Sequence, residues 1–267
     1  MEGFARRLRG ALLSLGALIA ALAWPLAAEA RPDAPSCRHA VFEGDGFVVC
    51  PYDPRIETLR LASQTPSGPI GSLTGLRASL GRDARRVVFA MNAGMYGHDR
   101  RPLGLYVAEG KRLQPLNRGH GGGGNFYLLP NGVFWTDKHG APHVDETSAF
   151  VDLDVHPRWA TQSGPLLVSG GVIHPAVSPN GTSLYVRNGV GVRGHEAFFA
   201  ISDGPVSFGR FARFLRDGLN CPDALYLDGS VSSLWAPDFG RRDDREGLGT
   251  FVVVLRRAAA RGGAATP

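Results

Sequence analysis

Five short polar segments of this 267-residue chain close or open apolar runs, and together they hold most of the residue types a reaction could use. Asn92 stands in Met91-Asn92-Ala93-Gly94-Met95-Tyr96, and Gln162 and Ser163 stand in Thr161-Gln162-Ser163-Gly164-Pro165. Arg187 and Asn188 follow Leu184–Val186, Asp203 closes Ile201-Ser202-Asp203, and Asp228 and Gly229 close Leu225-Tyr226-Leu227. A carboxylate such as Asp228 can act as a nucleophile, a base or a metal ligand. The planar guanidinium of Arg187 can bind two oxygens of one phosphate or carboxylate. Asn92, Gln162 and Asn188 both donate and accept hydrogen bonds. Each segment alone is weak, because Asp-Gly and Asn also serve ordinary turns. Their joint occurrence in this order is more specific.

The elements that must position these residues are mostly short β runs separated by glycine turns. The pattern predicts strands over 86–91, 103–108, 125–129, 133–136, 166–168, 183–188, 197–202, 224–228 and 250–255. It predicts helices over about 71–80 and 208–219, the second capped by Ser207, with Phe211, Phe214 and Leu215 on one face. The expected fold is α+β, a β-rich single domain with a mixed sheet and a few helices. Gly121–Gly124 lacks the lysine and following helix of a phosphate-binding loop and reads as a surface loop.

The chain resembles the phosphodiester glycosidase family from about Cys37 to Leu255. The likeness rests on Met91–Tyr96, Gly124-Asn125-Phe126-Tyr127, Ala160–Pro165, Arg187–Val192, Ile201–Phe208 and Ala224–Ser233. It is nearest to the bacterial branch associated with exopolysaccharide. After Asp228-Gly229 this sequence has Ser230-Val231-Ser232-Ser233, where the eukaryotic uncovering enzymes have a run of glycines before serine. Their mannose-phosphate substrate is therefore not carried over. The resemblance implies hydrolysis of a sugar-1-phosphodiester on a phosphorylated glycan or polysaccharide. Within it, Asp228, Arg187 and Asp203 are the catalytic candidates. Arg187 would neutralise the phosphate, and Asp228 would act at the anomeric carbon or hold a divalent metal ion. Asp203 or Glu196 would supply a second carboxylate if one is needed. Asn92, Gln162, Ser163, Asn188 and Gly229 are the substrate-binding candidates. A non-catalytic glycan-binding protein assisting polysaccharide assembly or export is the rival reading.

Residues 1–30 read as a cleavable signal peptide: Arg6, Arg7 and Arg9, an apolar run from Ala11 to Trp24, then Ala28-Glu29-Ala30. The remainder, 31–267, is expected to be a periplasmic or secreted domain with no membrane span. The formal net charge of +5 is spread without a Lys/Arg block, which argues against nucleic acid. Two apolar runs around Glu43-Gly-Asp-Gly46 read as a hairpin bringing Cys37 and Cys50 together. An oxidising compartment would then join them as a disulfide. Cys221 reads as a buried, inert thiol. Ser163 lacks the Gly-x-Ser-x-Gly context of a serine hydrolase, and the eight histidines show no metal-ligand spacing.

Overall fold

A computed structural model describes residues 37–258 except Asp244. The expected signal peptide lies outside the described residues. Alternating apolar positions pair the strands into three larger antiparallel sheets and one two-stranded ribbon. The seven-stranded sheet runs Arg38–Phe42, Asp45–Tyr52, Glu196–Ser202, Asn188–Arg193, Asp223–Tyr226, Leu166–Ser169 and Val172–Ile173. One five-stranded sheet runs Pro142–Glu146, Gly132–Thr136, Trp159–Ser163, Tyr106–Ala108 and Lys111–Gln114. The other runs Arg241–Arg242, Leu234–Ala236, Val87–Asn92, Phe251–Arg256 and Glu57–Ala62.

The period of two along each strand splits its side chains between two burials. In Asp45–Tyr52, Val48, Cys50 and Tyr52 enter a core shared by all three sheets, while Phe47 and Val49 face outward. In Phe251–Arg256, Val252 and Val254 enter the shared core, and Phe251, Val253 and Leu255 face the other way. Each outward face is then covered by its own short helix. Leu73–Leu80 covers the sheet of Val87–Asn92 through Leu73 and Leu76, and Thr147–Asp152 covers its neighbour through Phe150. Phe208–Arg213 and the turn after it cover the seven-stranded sheet through Phe211, Phe214 and Leu215. A Cβ at Gly189 would sit 2.9 Å from the Phe211 ring, so the absent side chain lets this helix close on the sheet.

The fold is α+β and β-rich. Its pairing among the described strands is antiparallel throughout, not mixed. Parallel neighbours are usually joined by a long helical crossover, and the helices here instead cap sheet faces. The Ser207 side chain caps the helix at Arg210 N–H, and π-helical turns at Phe214–Gly218 complete the expected 208–219 span. Two expected strands are different elements. Residues 125–129 form a 3₁₀ turn at Asn125–Tyr127, followed by the cis Leu129–Pro130 bond. In 183–188 only Tyr185 makes a bridge, to Val206, and the real strand starts at Asn188. The hairpin joins Cys37 and Cys50 in a disulfide, both fully buried. No described helix is long and apolar enough to cross a membrane.

Candidate functional site

Asn92 ends one sheet's central strand, Asn188 begins a strand of the seven-stranded sheet, and Asp228 follows Asp223–Tyr226. Their backbones meet where two sheets adjoin. The Asn188 amide donates to both the backbone oxygen and Oδ1 of Asn92, at 2.9 Å each. Asn92 Nδ2 donates to the Asp228 carbonyl at 2.6 Å, while its Oδ1 accepts the Ser233 N–H at 2.8 Å. The Asp228 N–H donates to the Ala93 carbonyl, and the Leu227 N–H to the Asn188 carbonyl. Ser232 Oγ binds the carbonyls of Gly229 and Val186. Both asparagines are fully buried. Their polar capacity is spent on holding the 228–233 turn, so they position Asp228 rather than reach outward.

The Asp228 carboxyl is half-buried, and burial pushes it up to about 6 against a stabilising contact from the Ser230 N–H. Desolvation penalises the charged form, and no cation among the described residues offsets it. At Gly229 a Cβ would fall 2.0 Å from the Tyr226 hydroxyl, so only glycine lets this turn lie on the phenol.

Tyr226 links the turn to Arg187. Arg187 Nη1 donates to the Tyr226 hydroxyl at 3.4 Å, Nε to the Val206 carbonyl at 2.8 Å, and Nη2 to the Ser183 carbonyl at 2.8 Å. The guanidinium carbon stacks 3.6 Å over the Phe208 ring. Arg187 is 1% exposed, and its hydrogen-bond partners among the described residues are neutral. Burial lowers its pKa from the usual arginine range. A buried cation without a carboxylate is costly, and an anionic ligand would relieve that cost. The long contacts to the Tyr226 and Ser183 hydroxyls are the ones a ligand oxygen could replace.

Gln162 lies apart from this cluster. Its Oε1 accepts the N–H groups of Leu105 and Asn117, and its Nε2 donates to the Asn117 carbonyl and to Thr147 Oγ1. It thereby ties together walls of a pocket of about 320 Å³ lined by Asn117, Leu129, Asn131, Glu146 and Thr147 among others. The neighbouring Ser163 is fully buried, and its Oγ has no hydrogen-bond partner among the described residues. Asp203 stands at the surface with His39 at 3.8 Å and Arg241 at 3.5 Å. No hydrogen bond or ion pair among the described residues joins it to Asp228. Cys221 is buried, with its thiol pushed up to about 12 by desolvation.

The family model for phosphodiester glycosidases matches residues 85–254. The chain belongs to that family. A curated relative, "Uncharacterized protein YigE" of Escherichia coli (strain K12), is 36% identical over 209 residues, covering 77% of this chain and 80% of that protein. The zebrafish N-acetylglucosamine-1-phosphodiester alpha-N-acetylglucosaminidase catalytic domain, auto-inhibited by its pro-peptide, superposes with a TM-score of 0.56 at 15% identity. That match covers 85% of this chain and 86% of the zebrafish one, and it establishes a shared fold.

In this member of the phosphodiester glycosidase family the matched region contains every candidate site residue, while the Cys37–Cys50 hairpin precedes it. Sequence reasoning gave no role to Tyr226, Ser232 or Ser233, although all three lie in the Ala224–Ser233 motif. Tyr226 is the last residue of its strand, two positions before the carboxylate, and its place in that motif is the signal available. Among the described residues no group of three or more His, Cys, Asp or Glu side chains could hold a metal ion. Any divalent ion at Asp228 would therefore complete its shell with carbonyl, water or substrate phosphate oxygens.

Proposed function

We propose that this protein hydrolyses a sugar-1-phosphodiester, with Arg187 holding the phosphate and Asp228 serving the anomeric carbon. The observation that carries this reading is a buried, carboxylate-free guanidinium bonded to the Tyr226 hydroxyl, which lies against Gly229 beside a carboxyl poised near 6. Near neutral pH Asp228 is mostly ionised, which suits a nucleophile or a base for water rather than an acid. The bond from the anomeric carbon to the ester oxygen breaks, and its electron pair leaves on the phosphate. Water supplies the new hydroxyl. A phosphate monoester is a good leaving group, so one carboxylate suffices, and Asp203 need not approach. Retention or inversion in the released sugar separates the nucleophile from the base.

The N-terminal pattern and the Cys37–Cys50 bridge support export to the periplasm or beyond, where surface polysaccharide would be the substrate. The test is turnover by the purified protein of a panel of α-linked sugar-1-phosphodiesters, beside Asp228→Asn. Release of sugar by the wild type and not by the variant is expected, and no release from any ester overturns the assignment. The near-complete engagement of Asn92, Asn188 and Arg187 by protein acceptors favours a second reading, a glycan-binding protein without turnover. Binding of the same esters with no hydrolysis would select it.

A further inference from the structure

The segment from Ser183 to Arg187 does more than deliver the guanidinium. Ser183 holds Arg187 Nη2 by its carbonyl, and Val186 gives its carbonyl to Ser232 in the Asp228 turn. Between these anchors, the Tyr185 N–H donates to the Val206 carbonyl and the Val206 N–H donates back, at 3.3 and 2.8 Å. The backbone at residue 185 is thus fixed on both sides and from across. Yet its side chain is 59% exposed, beside Leu184 at 55%. The Tyr185 ring centre lies 5.7 Å from the Arg187 guanidinium carbon. A rigidly mounted aromatic face in water, next to a buried cation, is an arrangement that packing does not require.

We propose that Tyr185 is a stacking platform for a pyranose ring carried by the phosphate that Arg187 binds. This rests on the phosphodiester glycosidase reading and names the group that lies outside the buried phosphate position. A pyranose presents a face of C–H bonds that can cover an aromatic ring while its hydroxyls stay in water. The ring is one ester oxygen from phosphorus, and a hexose spans about the distance from the guanidinium to the Tyr185 ring. Leu184 widens the apolar surface. The guanidinium attracts the anion and Tyr185 favours a sugar attached to it, so the pair selects glycosyl phosphates over inorganic phosphate.

The experiment measures kcat and KM of the full chain on the α-linked hexose 1-phosphate methyl esters, for wild type, Tyr185→Ala, Tyr185→Phe and Tyr185→Trp. Inhibition by inorganic phosphate is read alongside. Tyr185→Ala is expected to raise KM about tenfold with kcat within twofold and phosphate inhibition unchanged. Tyr185→Phe and Tyr185→Trp should keep the wild-type KM, because the face and not the hydroxyl does the binding. An unchanged KM in Tyr185→Ala, with turnover intact, overturns the platform and leaves the enzyme reading standing. A KM in Tyr185→Phe as high as in Tyr185→Ala also overturns it. If wild type turns over no ester, calorimetric titration with the same esters decides. Binding lost in Tyr185→Ala then keeps the platform and discards the hydrolase, whereas binding independent of residue 185 discards both.

Discussion

Asn188 gives both N–H groups of its side-chain amide to Asn92, one to the backbone oxygen and one to Oδ1, each at 2.9 Å. Two strands from different sheets are thereby pinned, and Asn92 passes the constraint on to the carbonyl of Asp228. Replacing Asn92 by Ala leaves the Ser233 N–H and the Asp228 carbonyl buried without their partner. Each such group costs about 1–3 kcal/mol. Asn92→Ala should therefore lose about 2–6 kcal/mol in denaturant unfolding, and its turnover should fall more steeply than its substrate binding.

Asp228 predicts a pH signature in stability. Its carboxyl is raised from 3.8 to about 6 by burial. Below the lower value both folded and unfolded chains are protonated there, and the group contributes nothing. Between the two, the unfolded chain ionises first, so the native state binds more protons and stability falls as pH rises. Above about 6 the cost levels off near 3 kcal/mol. Asp228→Asn should be more stable than wild type at pH 8 by about that amount, with the gain gone at pH 3.5. Thermal unfolding of both proteins across pH checks this. In the active protein kcat/KM should rise with pH through about 6.

Arg187 is held by carbonyls that a lysine cannot meet together, since the fork geometry is lost. Arg187→Lys should lower kcat/KM about 10²–10³-fold, the range for removing one preorganised donor to developing charge. Circular dichroism would show the fold kept, and phosphate inhibition should weaken in parallel.

Gln162 satisfies two backbone N–H groups, of Leu105 and Asn117, with one oxygen. Gln162→Leu should cost about 3 kcal/mol, with hydrogen exchange rising at both amides. The pH limb set by Asp228 should not move, because Gln162 belongs to another wall.

The Cys37–Cys50 bridge closes a short loop with a sequence separation of 13. Loops of this size are worth about 3 kcal/mol. The double variant Cys37→Ala/Cys50→Ala should lose about that in denaturant, and wild type should lose as much in reductant.

What could be read in advance follows a physical rule. The hairpin, the Ser207 cap and the aromatic stripe at Phe211, Phe214 and Leu215 are local patterns, and each has its counterpart in the fold. Gln162 could not be placed, because Trp159–Ser163 is buried on both faces, and polar residues inside such a strand look like a turn. Leu184 and Val186 alternate as a strand would. However, the carbonyls of Ser183 and Val186 are spent on guanidinium support and the Ser232 contact instead of a ladder. Arg187 and Asp228 are recognisable as residue types beside apolar runs, but the contact of Arg187 with the Tyr226 hydroxyl spans 39 residues of chain and leaves no local pattern. No spacing rule conveys that partial burial raises the carboxyl's pKa.

The contact from Asn92 to Asp228 spans 136 residues of chain. Closing so wide a loop is entropically late, since nearer pairings reward the chain sooner. The hairpin and the capping helix can form while the Asp228 turn is still unformed. Competence at this turn should accordingly be the slowest signal to return during refolding, lagging behind far-ultraviolet ellipticity. A chain cut anywhere between these two residues would turn the contact from Asn92 to Asp228 into one between two separate fragments.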